Sequence, residues 1–463
     1  MKMNCEKETN CDDIPVIKVF SVEGQYYLYD TFTNRLLSIS REHYIEIHSL
    51  LKSGLSNYIN SASNNFYKND IVFLIKKGML QSGFINRIEH PLTNYLPQLV
   101  DSCLSEMIFQ VTQNCNFRCK YCTFALDNGF ERIHTNRQMP WEIAKKALDY
   151  LFDHSHFSHE ITLFFYGGEP LLNYDLIKKI TDYSQELFCL KPIKYNTTIN
   201  ASVLTEEMVR FFIKYNFHIA ISFDGNKRIQ NSHRKFADSG MGTFDVVYKK
   251  IEMIRSIDEN FFSNNITIMP VYFDDEKLED VITYFSSIGI NNVSPLNVDL
   301  RGIDYKPSQF NLVKDDSLTN IKKMRSTNDI SIDFEEVLSE TSEIPAVWHH
   351  NGPCVAGVNR LFVDVDGTYY PCEKACDSNA FRIGSVIDGI DISAVNRLLN
   401  VGLMSQVRCT SCWAMRFCNI CCVQCHDTET DHLDDSVKKQ FCEMVKTKVL
   451  SFLKSKVKRG KQQ

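Results

Sequence analysis

Three cysteines fall within one short run, Cys115-Asn-Phe-Arg-Cys119-Lys-Tyr-Cys122. Spacings of four and three residues suit a loop wrapped around a cube of iron and sulfur. Three irons then take a protein thiolate and the fourth is left open. An open iron can bind a cofactor instead of only carrying electrons. Zinc is the competing chemistry, but structural zinc takes four protein ligands and no fourth lies nearby in sequence. Nine more cysteines lie between Cys354 and Cys425, in a chain with 17 in all. A secreted protein could lock them into disulfides, but Met1–Asp13 contains no apolar run of the kind a secretion signal needs. Cytosolic thiols stay reduced, so dense, clustered cysteine points to metal or iron–sulfur ligation.

The rest of the composition is ordinary. With 463 residues, 44% hydrophobic and 23% charged, the chain is long enough for about three domains and is not disordered. Its 51 Lys+Arg against 57 Asp+Glu give a net charge of −6, which argues against a dedicated nucleic-acid binder. No apolar run approaches the ~18 residues of a membrane span. The expectation is a soluble, cytoplasmic protein.

Residues 1–95 read as a first unit. Ile14–Ser21 and Gln25–Asp30 are strand candidates joined by a Glu23-Gly24 turn, and Leu36–Ile39 follows a Thr33-Asn34 turn. Ser40 caps a helix over Arg41–Lys52, and more helix is expected around Lys68–Lys77. This suggests a small winged-helix-like module: either a structural appendage or a dock where an incoming peptide adds a strand to a sheet edge.

Residues 96–303 alternate strand and helix. Expected strands are Met107–Gln113, Glu160–Tyr166, Lys194–Ala201, His218–Phe223, Asn264–Tyr272 and Asn291–Val298. Expected helices are Trp141–His154, Asp175–Phe188, Thr205–Tyr215, Phe244–Arg255 and Asp275–Ser287. Pro140 and Thr205 are plausible helix starts. The predicted class is α/β, a partial (β/α)6 barrel whose chemistry sits at the C-terminal strand ends. Residues 304–345 read as a helical connector. Residues 346–445 show weak periodicity and abundant cysteine, so metal clusters are expected to support that fold. Residues 446–463 form a basic tail, part of an amphipathic helix over Phe441–Gln463 with Val445, Val449, Phe452 and Leu453 on one face.

The first cysteine run, with Tyr121 before its last cysteine, resembles the CxxxCxxC signature of the radical S-adenosylmethionine (SAM) superfamily. That resemblance implies a 4Fe–4S cluster whose open iron is chelated by SAM, and a 5′-deoxyadenosyl radical formed when one electron cleaves SAM. Further motifs follow in the family's order. Gly167, Gly168, Glu169 and Pro170 end the second strand, where the family's glycine-rich turn approaches the SAM amino group. Asn200 ends the third strand, and Ser222 and Asp224 end the fourth, matching ribose and methionine contacts. Arg234 matches the arginine that pairs with the SAM carboxylate. Taken singly, each of these is an ordinary turn, buried amide or loop cation. His and Asp commonly precede that arginine in relatives, whereas Gln230 and Asn231 stand here.

The second field, Cys354, Cys372, Cys409-x2-Cys412-x5-Cys418-x3-Cys422 and Cys442, resembles the SPASM extension of radical SAM peptide modifiers. That extension implies two auxiliary 4Fe–4S clusters, three clusters in all. By the family pattern Cys409, Cys412, Cys418 and Cys442 close the outer one, and Cys354, Cys372 and Cys422 hold the inner one. The fourth inner ligand is Cys376, Cys421, Cys425, or an open position for a substrate thiol, and the adjacent Cys421 and Cys422 could exchange. A zinc ribbon through Cys409 and Cys412 is the alternative. Cys5, Cys11, Cys103 and Cys189 have no partner spacing and read as ordinary thiols.

Together these parts resemble maturases of ribosomally made peptides, and Tyr370-Pro371-Cys372-Glu373-Lys374 resembles the thioether-forming enzymes of sactipeptides and ranthipeptides. The implied partners are a precursor peptide, its leader on the N-terminal unit and its Cys-rich core in the barrel, and an electron donor such as flavodoxin or ferredoxin. The rival is formylglycine formation, as in anaerobic sulfatase maturases. Those commonly carry Asp as a base after the second SPASM cysteine, where this chain has Glu373. C–C cross-linking, epimerisation and a non-catalytic electron carrier are further alternatives.

Overall fold

The computed structural model describes residues 13–61, 65–122, 134–272, 278–297, 334–340, 344–349 and 354–459. Cys5, Cys11 and most of the expected 304–345 connector lie outside these residues; the short helix Phe334–Ser339 is the part of the connector described.

The N-terminal unit follows its turn chemistry. Glu23 and Gly24 take positive φ, as does Asn34, so Ile17–Val22, Gln25–Asp30 and Arg35–Ile39 fold back into an antiparallel sheet in that order. Ser40 caps the helix Arg41–Ser53 by accepting the His43 N–H at 3.2 Å. Ile17 and Leu28 pack on Ile47, Leu50 and Ile71 of the unit's own helices. Phe20, Val22, Tyr27 and Tyr29 bury against Phe417, Ile420, Val445, Val449 and Leu453 of the C-terminal segment. Both faces of Gln25–Asp30 are thus buried, Leu28 on one cluster and Tyr27 and Tyr29 on the other.

Parallel strands form the centre. Among the described residues the main sheet has nine strands. Its parallel part runs Ile266–Ile268, His218–Ile221, Ile193–Ile199, Ile161–Gly167, Glu106–Thr112 and Arg360–Val363. Helices Trp141–Asp153, Tyr174–Leu187, Glu206–Lys214, Phe244–Ile257 and Leu278–Ser287 alternate with the strands, each burying an apolar stripe. The first four expected strands match within one or two residues.

The last two expected strands do not hold as drawn. The helix Glu259–Asn265 occupies the start of Asn264–Tyr272, and the remainder splits into Ile266–Ile268 and Val271–Tyr272. Pro270, which has no N–H to give a ladder, lies in the break. Of Asn291–Val298, only Leu296–Asn297 is a strand, paired parallel with Val271–Tyr272; a bridge joins Ile268 to Val293, and Val298 lies outside the described residues.

The other sheet edge carries the larger difference. Arg360–Val363 pairs parallel with Glu106–Thr112, and Thr368–Tyr370, Gly384–Ser385 and Gly389–Ile390 continue antiparallel from it. The cysteine-rich segment thus shares a sheet with the barrel strands. The C-terminal helix spans Asp435–Arg459, so it begins before the expected Phe441 and runs through the expected boundary at 445. None of the described helices is long and apolar enough to cross a membrane.

Candidate functional site

The first cysteine loop leaves the strand Glu106–Thr112 and is tied down at once. Phe117–Cys119 pairs antiparallel with Arg234–Phe236, with Cys119 opposite Arg234. Phe117 is buried edge-on against Phe236 at 5.1 Å. The three thiols are half-buried. Cys115 Sγ accepts the Phe117 N–H at 3.4 Å and lies 4.0 Å from Asn200 Nδ2. Cys119 Sγ is 3.9 Å from an Arg234 nitrogen, and Cys122 Sγ is 3.6 Å from His134 Nε2. Burial pushes the Cys115 and Cys119 thiols up to about 12. Burial disfavours thiolate here, a cost that iron bound to sulfur would offset.

The strand ends gather behind this loop. A Cβ on Gly167, at φ +146°, would meet the Thr112 carbonyl oxygen at 2.1 Å. One on Gly168 would meet the Asn114 carbonyl oxygen at 2.3 Å. The two glycines let the turn press on the backbone that enters the cysteine loop, and Gly168 N–H and Glu169 N–H bond to Thr112 O and Asn114 O at 3.0 and 2.9 Å. Buried Glu169 accepts from the Asn200 and Leu171 N–H groups at 2.6 and 3.1 Å. Burial raises its carboxyl to about 7 against those two bonds. Pro170, also buried, opens the single turn that follows. Asn200 donates to Asn116 Oδ1 at 2.9 Å, and Ser222, half-buried, ties its N–H to Ile199 O at 2.9 Å.

Arg234 has a partner within the protein. Its fork closes on Asp224, Nε to Oδ2 and a terminal nitrogen to Oδ1, both at 3.0 Å, with the two residues buried. Tyr121 donates its hydroxyl to Asp224 Oδ2 at 2.5 Å, its ring lies 5.2 Å from the guanidinium, and the Val271 N–H bonds Oδ1 at 2.9 Å. Burial works to raise the Asp224 carboxyl, but Arg234, His233 and Tyr121 outweigh it and hold the group below its ordinary range. The site presents a buried ion pair locking the cysteine loop to the fourth strand, not a free arginine. Of the departures noted in the sequence, Gln230 supports the pair directly and Asn231 fixes the helix start at Phe244. Gln230 accepts the Asp224 N–H at 2.8 Å, and Asn231 accepts the Phe244 N–H at 2.9 Å. His134 beside Cys122 carried no signal in the sequence.

The second field sorts into two neighbourhoods. Cys354, Cys372 and Cys422 each have Cys421 as a neighbour, with Glu373 beside Cys354 and Cys372 and Arg360 beside Cys354. Arg360 in turn pairs with Glu106 at 3.1 Å. Cys412 neighbours Cys409 and Cys442, and Cys418 neighbours Cys412 and Cys409. Burial pushes Cys354 and Cys412 up to about 11 and Cys372 and Cys418 to about 12, and raises Cys422 well above the ordinary thiol range. Of the three options for a fourth inner ligand, Cys421 joins the inner set. Cys376 is buried on the barrel side, 3.6 Å from Gln110 Nε2, and Cys425 lies between the sets with its thiol on Cys421 O at 3.4 Å. Cys103 is half-buried and Cys189 exposed.

Among the described residues, no three His, Cys, Asp or Glu side chains converge closely enough to chelate one metal ion. The donors at both places are thiols, the ligand type that iron–sulfur clusters take, one on each iron.

Residues 109–284 match the Radical SAM superfamily. An uncharacterized protein of Methanocaldococcus jannaschii is 28% identical over 41% of this chain and 62% of its own length. The radical SAM cyclopropyl synthase TigE of Paramaledivibacter caminithermalis is 24% identical over 63% of each chain. This chain therefore spans less than two thirds of either of those relatives. A cysteine-type anaerobic sulfatase-maturating enzyme of Clostridium perfringens is 24% identical over 71% of this chain and 91% of its own. Among solved structures, native anSMEcpe with bound AdoMet superposes with TM-score 0.53 at 20% identity, over 76% of this chain and 99% of that one. Streptococcus suis SuiB bound to S-adenosylmethionine gives 0.50 at 14% identity, over 92% and 98%. These two likenesses are of fold.

Proposed function

With a radical SAM domain over residues 109–284 as the premise, we propose that this chain modifies a ribosomally made, cysteine-rich precursor peptide. In this reading it joins a cysteine sulfur to a carbon of the same peptide as a thioether. The observation that carries the reading is the sorting of thiols into three neighbourhoods, one on the parallel sheet and two in the C-terminal segment. Relatives named as a cyclopropyl synthase and a sulfatase-maturating enzyme support a maturase in the wider sense.

Cys115, Cys119 and Cys122 would hold the SAM-binding 4Fe–4S cluster. Cys354, Cys372, Cys421 and Cys422 would hold an inner SPASM cluster, and Cys409, Cys412, Cys418 and Cys442 an outer one. When bound, the first cluster and SAM supply a 5′-deoxyadenosyl radical that takes a hydrogen atom from an unactivated carbon.

The chain's own residues then position and protonate. Gly167 and Gly168 seat the cysteine loop, and Asn200 and Ser222 offer polar groups at neighbouring strand ends for the ribose and methionine of SAM. The Asp224–Arg234 pair fixes Tyr121 and Cys119, so the radical would form in one place; a misplaced one would attack whatever lies closest. With Cys421 as the fourth inner ligand, no position there would remain for substrate sulfur. Removal of the substrate thiol proton then falls to Glu373, beside Cys354 and Cys372, and the one electron left over when carbon and sulfur join would pass to the auxiliary cluster those cysteines would hold.

The N-terminal unit would tether the leader. Its edge strand Arg35–Ile39 exposes Arg35 and Ser38, and a cleft of about 480 Å³ opens between Gly24, Gln25, Tyr26, Ser38, Ile39 and Arg41. An extended leader pairing along this edge would raise the local concentration of the core peptide. A small electron donor of the flavodoxin or ferredoxin type would supply the reducing electron.

The test incubates the reconstituted protein with SAM, a reductant and the short Cys-rich peptide encoded beside it, then measures peptide mass. Loss of two hydrogens per link, with the cysteine no longer alkylatable, is the expected result. A carbonyl that reacts with a hydrazine would instead establish formylglycine formation and overturn the thioether reading.

A further inference from the structure

Lys438 lies in the first turns of the helix Asp435–Arg459 and is fully buried. Its ammonium donates to Ser405 Oγ and stands 3.6 Å from Cys409 Sγ. Ser405 Oγ is itself 3.2 Å from that sulfur, so lysine, hydroxyl and thiol form a closed triangle. Ser405 and Cys409 are buried as well. The charge also reaches Cys418 and Cys425.

Among the described residues Lys438 makes no ion pair with a carboxylate. Asp435, which could have served, gives its two oxygens to Arg408 at 2.6 and 2.9 Å. Asp434 accepts from Ser436 and Val437. Lysine is almost never fully buried without a counter-charge, because an unpaired buried ion costs several kcal/mol. Asp435 feels the lysine's charge but spends both oxygens on Arg408, and of the two groups in direct contact with the ammonium, Ser405 and Cys409, only the sulfur can carry negative charge. Metal-bound thiolate is such a charge; a neutral thiol is not. The other lysine near this set, Lys446, is half-buried and bonds Glu443 at 2.9 Å, so its charge is already answered.

Resting on the reading that Cys409, Cys412, Cys418 and Cys442 hold the outer cluster, we propose that Lys438 is the fixed counter-charge of that cluster and sets its reduction potential. A cation against a cluster favours the added electron, so the outer cluster is poised to accept charge more readily than it would be without Lys438. Lys438 is a positioning and tuning residue; it touches no substrate.

The experiment uses the full, anaerobically reconstituted chain. Iron and sulfide are counted, and the cluster transitions are followed by redox titration with electron paramagnetic resonance. Lys438→Gln keeps a donor to Ser405 and Cys409 without the charge, and Lys438→Met removes both. The expected result is one transition moving to lower potential in both variants, with iron content unchanged and the other transitions fixed. The oxidised-to-reduced ratio of that cluster at a fixed poise should change by at least about tenfold, or about 59 mV for one electron. Unchanged potentials with full iron would overturn the proposal. Should both variants lose about four irons per chain, Ser405→Ala decides. Retention of iron in that variant supports the counter-charge, and equal loss reduces Lys438 to a packing role and overturns it. A wild-type chain with iron at Cys115–Cys122 alone would instead fail the reading of the outer cluster, a result distinct from a failure of Lys438.

Discussion

The two cysteine regions are held in place by different means. The loop Cys115–Cys122 sits on a parallel sheet whose apolar core would exist without it: Met107, Phe109 and Val111 of its own strand and Leu163 and Phe165 of the next are fully buried. Backbone contacts at Gly167 and Gly168 and the Asp224–Arg234 pair finish the mount. The region from Cys409 to Cys442 has short helical turns and few strands. Its support comes from elsewhere: the helix Asp435–Arg459, the buried Lys438, and the N-terminal sheet. Arg416, between Cys412 and Cys418, donates to the carbonyls of Thr31 and Phe32 at 2.8 and 2.7 Å, and Thr31 donates back to Trp413 O at 2.9 Å. The first site is pre-organised by sheet packing. The second is assembled by distant segments meeting, and in that kind of site metal binding is also folding energy.

The comparison breaks most sharply if the first loop is emptied. Replacing Cys115, Cys119 and Cys122 together by Ala should reduce SAM cleavage to background. The iron of the second field should remain and the thermal transition should move little, because the sheet does not depend on the loop. Iron analysis and a 5′-deoxyadenosine assay check this, and collapse of the whole fold would refute the contrast.

Asp224→Asn should cost about 3–5 kcal/mol, the usual penalty for leaving one partner of a buried pair without its opposite charge. Denaturant unfolding measures it, and a change below about 1 kcal/mol would show the pair to be dispensable. Arg416→Met should act on the other region. With two buried carbonyls unsatisfied at about 1–3 kcal/mol, hydrogen exchange over Ile17–Ile39 should accelerate roughly tenfold or more, while Glu106–Thr112 stays protected. Equal acceleration in both stretches would erase the distinction between the two mounts.

The smallest effect is a pH dependence at the first site. Glu169 is raised by burial from 4.5 to about 7. Between those values the unfolded chain ionises this group and the folded chain keeps its proton, so stability falls as pH rises. The slope is up to about 1.4 kcal/mol per pH unit. Glu169→Gln should flatten that slope; an unchanged curve would place the titration elsewhere.

Much of the first site was legible because its parts are local. Strand-helix alternation, a cysteine run at a strand end, and polar residues at the next ends can each be found within a few residues of a periodic pattern. Arg234 shows the limit. Ten residues separate it from Asp224, and only the fold turns its fork inward. The strand Arg360–Val363 was missed because its three apolar residues, Leu361, Phe362 and Val363, are all buried and have no alternation to betray them. Lys438 was missed because a lysine-rich helix reads as solvated, and its burial depends on Ser405 and Cys409, which lie far away in sequence. That Cys421 is the neighbour of Cys354, Cys372 and Cys422 could be seen only in three dimensions.

The central claim is that the first thiol set leaves one iron of its cluster for SAM. Electron paramagnetic resonance of the dithionite-reduced protein, with and without added SAM, tests it most directly. The account predicts that SAM changes the signal of one cluster, and that the change vanishes in the Cys115, Cys119, Cys122 triple Ala variant. A spectrum indifferent to SAM, in protein with full iron content, would contradict it.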